Sequence, residues 1–156
     1  MPDTLAHLAD SWDYPDPFVI GITALPEDID GYNHVNNSVY LRWMDDCSRL
    51  HSQAVGIDTE NARDFGYGMA VADTQITYHA AAYLGDELLV GNWLSKCDGR
   101  VRATREFQII RRPDGLTLTR ATLNYVCIKL GTGRACRMPP LFREKYRVLN
   151  FNTGVE

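Results

Sequence analysis

Residues 28–43 bring Asp28, Asp30, Asn33, His34, Asn36 and Asn37 into one short stretch, directly ahead of Tyr40 and Trp43 at helical spacing. A carboxylate can act as a general base or a nucleophile, and an imidazole can move a proton. The start of a helix adds unpaired backbone N–H groups and a partial positive charge, which suit an anion or a developing oxyanion. A carboxylate beside such a start can attack what the N–H groups polarise. The stretch therefore reads as an acyl-transfer or hydrolysis centre.

Each of these residues also has a plainer reading. Asp28 can cap or brace the loop, and Asn36 and Asn37 can organise the turn and the helix start. Tyr40 and Trp43 suit a core position or the wall of a pocket. His34 is a candidate general base or a partner for loop backbone. Asp28, Asp30 and His34 offer ligand atoms, yet no second histidine at helical spacing and no cysteine pair joins them, so no metal is expected. There is no Gly-x-Ser-x-Gly nucleophile elbow.

The elements that must position these residues follow from periodicity. Phe18–Thr23 reads as a strand that Pro26 terminates. From Ser38, apolar Tyr40, Trp43, Met44, Cys47, Leu50, Ala54 and Val55 recur at helical spacing up to Gly56, with Arg42, Asp45, Asp46, Arg49 and Gln53 mostly opposite. A loop through Asn61 and Gly66 leads to four β-type runs at 68–78, 87–97, 100–112 and 116–130. Their junctions, Leu84-Gly85-Asp86, Asp98-Gly99 and Pro113-Asp114-Gly115, are turn sequences too short for crossover helices, which predicts a long antiparallel meander. One long helix among about five strands can bury its apolar stripe only by lying across a concave sheet face. That is an α+β wrap whose open strand edges invite pairing of subunits. Residues 1–16 read as an irregular lead-in and residues 139–156 as a short charged tail of a single domain spanning 1–156.

The 156 residues are 45% hydrophobic and 23% charged, enough for one well-cored domain, and the net charge of −4 gives no global attraction for nucleic acid. No apolar run approaches the ~20 residues of a membrane span, and the N-terminus lacks a secretory pattern, so a cytoplasmic protein is expected. Cys47, Cys97, Cys127 and Cys136 lack Cys-x-x-Cys spacing and read as reduced thiols, with Cys47 and Cys127 buried.

The pattern Asp28-x-Asp30-x-x-x-His34-Val-Asn36-Asn37-x-x-Tyr40-x-x-Trp43 resembles the signature of hotdog-fold acyl-CoA thioesterases of the 4-hydroxybenzoyl-CoA thioesterase-like group. Ile76-Thr-Tyr78, Gly85-Asp86-Glu-Leu88, Thr104-Arg-Glu-Phe107 and Gly131-Thr-Gly-Arg134 are similar to later segments of that family, so the likeness spans about residues 18–146. The resemblance implies a hotdog fold and hydrolysis of a thioester to coenzyme A and a carboxylic acid, without metal or cofactor. It implies Asp30 as the catalytic carboxylate, His34 as a second catalytic candidate and Asn37 as the residue whose backbone N–H polarises the carbonyl. Asn36, Tyr40 and Trp43 become candidates for substrate binding, and the substrate is an acyl-CoA or an acyl carrier protein. A homodimer or homotetramer is expected, with no nucleic-acid or membrane partner. Asn33 stands where many relatives have glycine, which calls for positive φ there. Tyr32 replaces the asparagine of the plant-type Asp-x-Asn-x-His constellation. Two other functions fit the same residues: a hotdog hydratase or dehydratase using Asp30 and His34, and a non-catalytic acyl-CoA binding module.

Overall fold

The computed structural model describes residues 6–148. A single five-stranded antiparallel sheet wraps one long helix. The strands are β1 (Phe18–Thr23), β2 (Tyr67–Tyr78), β3 (Glu87–Cys97), β4 (Arg102–Arg111) and β5 (Thr117–Lys129). The helices are α1 (Asn37–Ala54), α2 (Thr59–Phe65) and α3 (Pro140–Lys145).

The apolar stripe of α1 is buried as its periodicity predicts as far as Cys47, whereas Leu50 and Val55 are half-buried and Ala54 is exposed near the end of the helix. Val39, Tyr40, Trp43, Met44 and Cys47 are buried against the sheet, whereas Arg42, Asp45, Arg49 and Gln53 are exposed. Burial of each large apolar side chain contributes about 1.5–3 kcal/mol. Asn36 caps the N-terminus by accepting from the Ser38 N–H, and Gly56, at φ 92°, ends the helix in a conformation that other residues resist.

The expected meander is corrected. The strand order is β1-β3-β4-β5-β2, so only β3, β4 and β5 follow one another as neighbours. β2 pairs instead with β5 at the far edge, from Tyr67 opposite Lys129 to Tyr78 opposite Thr119. Leu84-Gly85-Asp86 is therefore a turn on a crossover and not the tip of a hairpin. Gly85 does take positive φ (82°), as a turn glycine should, but turn chemistry specifies a local reversal and not the strands that flank it. β3 spends its two edges on β1 and β4, which leaves β2 the open edge of β5.

Two further expectations change. The loop between α1 and β2 contains α2, and the charged tail contains α3, whose Phe142 is 1% exposed and packs with Ile57, Leu94 and Met138. The lead-in is bound to the sheet: Leu8 packs on Leu89 and Ile110, Trp12 lies over Gly91, and Trp93 Nε1 donates to the Pro15 carbonyl. β3 is thus covered on both faces, which explains its continuous burial from Leu88 to Leu94. Residues 1–5 of the lead-in and 149–156 of the tail lie outside the described residues. Cys47 and Cys127 are buried, and all four cysteines are free thiols.

Candidate active site

The acidic loop is a small hairpin of its own, closed by a bridge between Ile29 and Val35. Asp30 N–H donates to the His34 carbonyl at 2.8 Å, and Asn33 N–H donates to the Asp30 carbonyl at 3.1 Å. Asn33 sits at φ 60°, the positive angle its place in the turn requires, and asparagine tolerates it better than most residues.

Asp28 and Asp30 have different surroundings. Asp28 is 2% exposed, accepts from the Leu25 N–H at 2.9 Å and forms an ion pair with Arg42 of α1. Its carbonyl accepts from the Asn36 N–H at 2.8 Å. It fastens the loop to the helix. Asp30 is only half-buried, and its Oδ1 accepts from the Tyr32 N–H at 2.8 Å in an Asx turn. Among the described residues its Oδ2 has no donor, so the carboxylate is oriented through one oxygen and open at the other.

The helix start is similarly divided. Asn36 Oδ1 accepts from the Ser38 N–H at 3.0 Å and from Ser38 Oγ at 2.8 Å, and Val39 N–H donates to the Asn36 carbonyl. The Asn37 N–H is left without an acceptor among the described residues, on an exposed residue at the positive end of an eighteen-residue helix. The Asn37 carbonyl accepts from the Tyr78 hydroxyl at 2.8 Å, which ties the end of β2 to this turn.

The other sequence candidates are placed as follows. His34 is exposed, and its ring stands edge-on to Tyr83 at 5.2 Å. Tyr40 is buried; its hydroxyl accepts from the Ala82 N–H at 2.9 Å, and burial raises its pKa. Trp43 is buried beside it, with ring centroids 5.5 Å apart. Among the described residues no cluster of three or more His, Cys, Asp or Glu could hold a metal ion, and no helix is long and apolar enough to cross a membrane.

Sequence reasoning did not single out Tyr78 as a brace for the helix start, nor Arg105 as a buried charge. The second was detectable: Ala103, Arg105 and Phe107 alternate inward on β4.

Comparison with known proteins adds an independent line. The family model described as "Thioesterase-like superfamily" matches residues 24–146. The long-chain acyl-CoA thioesterase FadM of Escherichia coli K12 is 28% identical over 123 residues, covering 75% of this chain and 87% of FadM. A 1,4-dihydroxy-2-naphthoyl-CoA thioesterase from Synechocystis superposes with a TM-score of 0.76 at 20% identity, covering 84% of this chain and 96% of that one. A Staphylococcus aureus protein solved in complex with CoA gives a TM-score of 0.75 at 18% identity, covering 90% and 94%. These structural likenesses show the hotdog fold.

Proposed function

The chain belongs to the thioesterase-like superfamily and is a thioester hydrolase, and from that premise we propose that it releases coenzyme A and a carboxylic acid from an acyl-CoA at the Asp30 loop and the start of α1. The thioester carbonyl oxygen accepts from the Asn37 N–H, whose donor strength is raised by the helix dipole. Asp30 Oδ2 either takes a proton from an attacking water or attacks the carbonyl itself to form a mixed anhydride that water then opens. The observation that carries this reading is that, among the described residues, the helix-start N–H of Asn37 has no acceptor, while the loop leading into that start holds a carboxylate fixed through a single oxygen. Asp28 and Tyr78 act as positioning residues, the first through Asn36 and the second through the Asn37 carbonyl.

In this reading Asn36 serves the substrate through the cap, and Tyr40 and Trp43 shape the acyl end from beneath the helix start. His34, exposed on the same hairpin, is a reserve proton carrier whose loss costs less than that of Asp30. The unpaired side of β2 is a twelve-residue edge with exposed residues from Val71 to Gln75, which supports assembly of two copies edge to edge.

Release of free thiol from short, medium, long and aromatic acyl-CoAs tests the proposal, with parent protein and Asp30→Asn assayed in parallel. Hydrolysis that disappears in the folded Asp30→Asn protein is the expected result. Turnover near the parent rate would remove Asp30 from the mechanism.

A further inference from the structure

Arg105 lies on the inward alternation of β4 and is 4% exposed. Its Nη1 donates to Asn92 Oδ1 and to His51 Nδ1, each at 2.7 Å, and its Nη2 donates to Ser52 Oγ at 3.3 Å. The Tyr146 ring centroid is 5.6 Å from the guanidinium. None of these partners carries negative charge. Among the described residues no carboxylate oxygen comes within 4.0 Å of the guanidinium nitrogens. An arginine keeps its charge at any physiological pH, so burial without a counter-ion is strongly unfavourable. Three of the five N–H donors are engaged, which leaves Nε–H and one Nη2 hydrogen with no acceptor among the described residues. A bidentate carboxylate takes two.

A second polar group faces the same space. Tyr125 of β5 is 7% exposed, and among the described residues its hydroxyl makes no well-aligned hydrogen bond, the Ser48 hydroxyl being its one polar neighbour there. Burial raises its pKa, and the nearby Ser48 hydroxyl offsets only part of that effect. Both residues line a cavity of about 340 Å³ with apolar walls that include Met69, Leu94 and Phe142. Pockets that take small organic ligands are typically ~300–1,000 Å³, so the space has room for a small organic acid. Asp45 and Asp58 also line the cavity; neither forms an ion pair with Arg105, and the charge of the exposed Asp45 is felt at Tyr125. Lining residues on α1 begin at Asp45, roughly 12 Å along the helix from Asn37 at 1.5 Å per residue, so this is a different place from the Asp30 loop.

We propose that this cavity binds a carboxylic acid with an apolar body, its carboxylate forked by Arg105 and hydrogen-bonded by the Tyr125 hydroxyl. Such a ligand supplies a counter-ion for Arg105 and a well-aligned acceptor for the Tyr125 hydroxyl at once. As a binding site it stands apart from the thioesterase reading. The same chemistry has two sources, a free acid or the distal carboxylate of an acyl group.

Isothermal titration with octanoate, octanamide and octanol tests it on the parent, Asp30→Asn and Tyr125→Phe proteins. Octanoate is expected to bind parent and Asp30→Asn equally, about tenfold more tightly than the amide or the alcohol, since a hydrogen-bonded charge is at stake. Tyr125→Phe removes a hydroxyl that has only a poorly aligned contact with Ser48, so it should fold as the parent does and bind octanoate several-fold more weakly. Equal affinity for acid and amide, no binding of octanoate, or unchanged affinity in Tyr125→Phe would each overturn the proposal. Because binding is read without turnover, an inert Asp30 site leaves this outcome unaffected. A lower KM for octanedioyl-CoA than for octanoyl-CoA identifies the distal carboxylate as the source, and equal KM values with octanoate bound identify the free acid.

Discussion

Replacing Asp28 and replacing Asp30, two positions apart in the same loop, should damage different properties of the protein. Asp28 is buried and accepts from the Leu25 N–H and from Arg42. A hydrogen bond to a charged group contributes about 1.5–3 kcal/mol. Arg42 is 56% exposed, so solvent screening limits the ion pair to at most ~1 kcal/mol. Asp28→Ala should therefore lose about 2–4 kcal/mol. At about 2–4 °C per kcal/mol for a chain of this size, Tm falls by roughly 5–15 °C. Asp30 is half-buried, and in Asp30→Asn the amide oxygen can still accept from the Tyr32 N–H. Its stability should stay within ~0.5 kcal/mol of the parent, while turnover falls by about 10²–10⁴-fold with loss of the base or nucleophile. Thermal unfolding and thiol release, the latter below the Tm of the weaker variant, measure both quantities on both proteins. The reasoning is refuted if Asp28→Ala abolishes turnover at unchanged stability, or if folded Asp30→Asn keeps it.

Other expectations follow from single contacts. Tyr78→Phe loses the 2.8 Å bond to the Asn37 carbonyl and should cost about 1 kcal/mol; steady-state kinetics should show kcat falling more than KM rises. Asn33→Val forces a β-branched residue to φ 60° and should cost about 1–3 kcal/mol, whereas Asn33→Gly should be near neutral, as denaturant midpoints will show. A Cβ at Gly91 would meet Trp12 Cζ3 at 2.7 Å, so Gly91→Ala should lose about 1–3 kcal/mol and loosen the lead-in, visible as increased tryptophan quenching. Burial first, then Arg105, lowers the pKa of folded His51 from 6.5. The unfolded chain thus takes the proton first, and the contribution of His51 to stability is complete above about pH 6.5 and declines as pH falls below it. Urea midpoints across that range should fall less steeply with acid in His51→Gln.

Local chemistry made most of the elements legible. The bounds of β1 and β3 coincide with the sequence reading, and those of α1 differ by one residue at each end, because apolar period, caps and glycine stops are properties of neighbouring residues. α2 was hidden because its Thr59–Phe65 segment carries no sustained apolar stripe. α3 begins on the second of two prolines that read as a break, and Phe142, with Leu141 beside it, anchors it in the core.

The candidate site divides in the same way. The sequence by itself determined that acids, amides and a histidine crowd one helix start and that Asn36 and Asn37 organise its turn, since all of this is written within ten residues; the positive φ at Asn33 followed from the family resemblance, and the structure gave the cap to Asn36. Only the tertiary structure decided which acid is spent and which is open: Asp28 lies beneath Arg42, whereas Asp30 keeps a free oxygen. It also decided that β2 crosses to the far edge, bringing Tyr78 to Asn37, and that Arg105 is enclosed among His51, Asn92 and Ser52, separated from it in sequence by 13 to 54 positions. Hydrogen-bond partners and desolvation depend on what the fold brings near, and spacing along a chain does not contain that information.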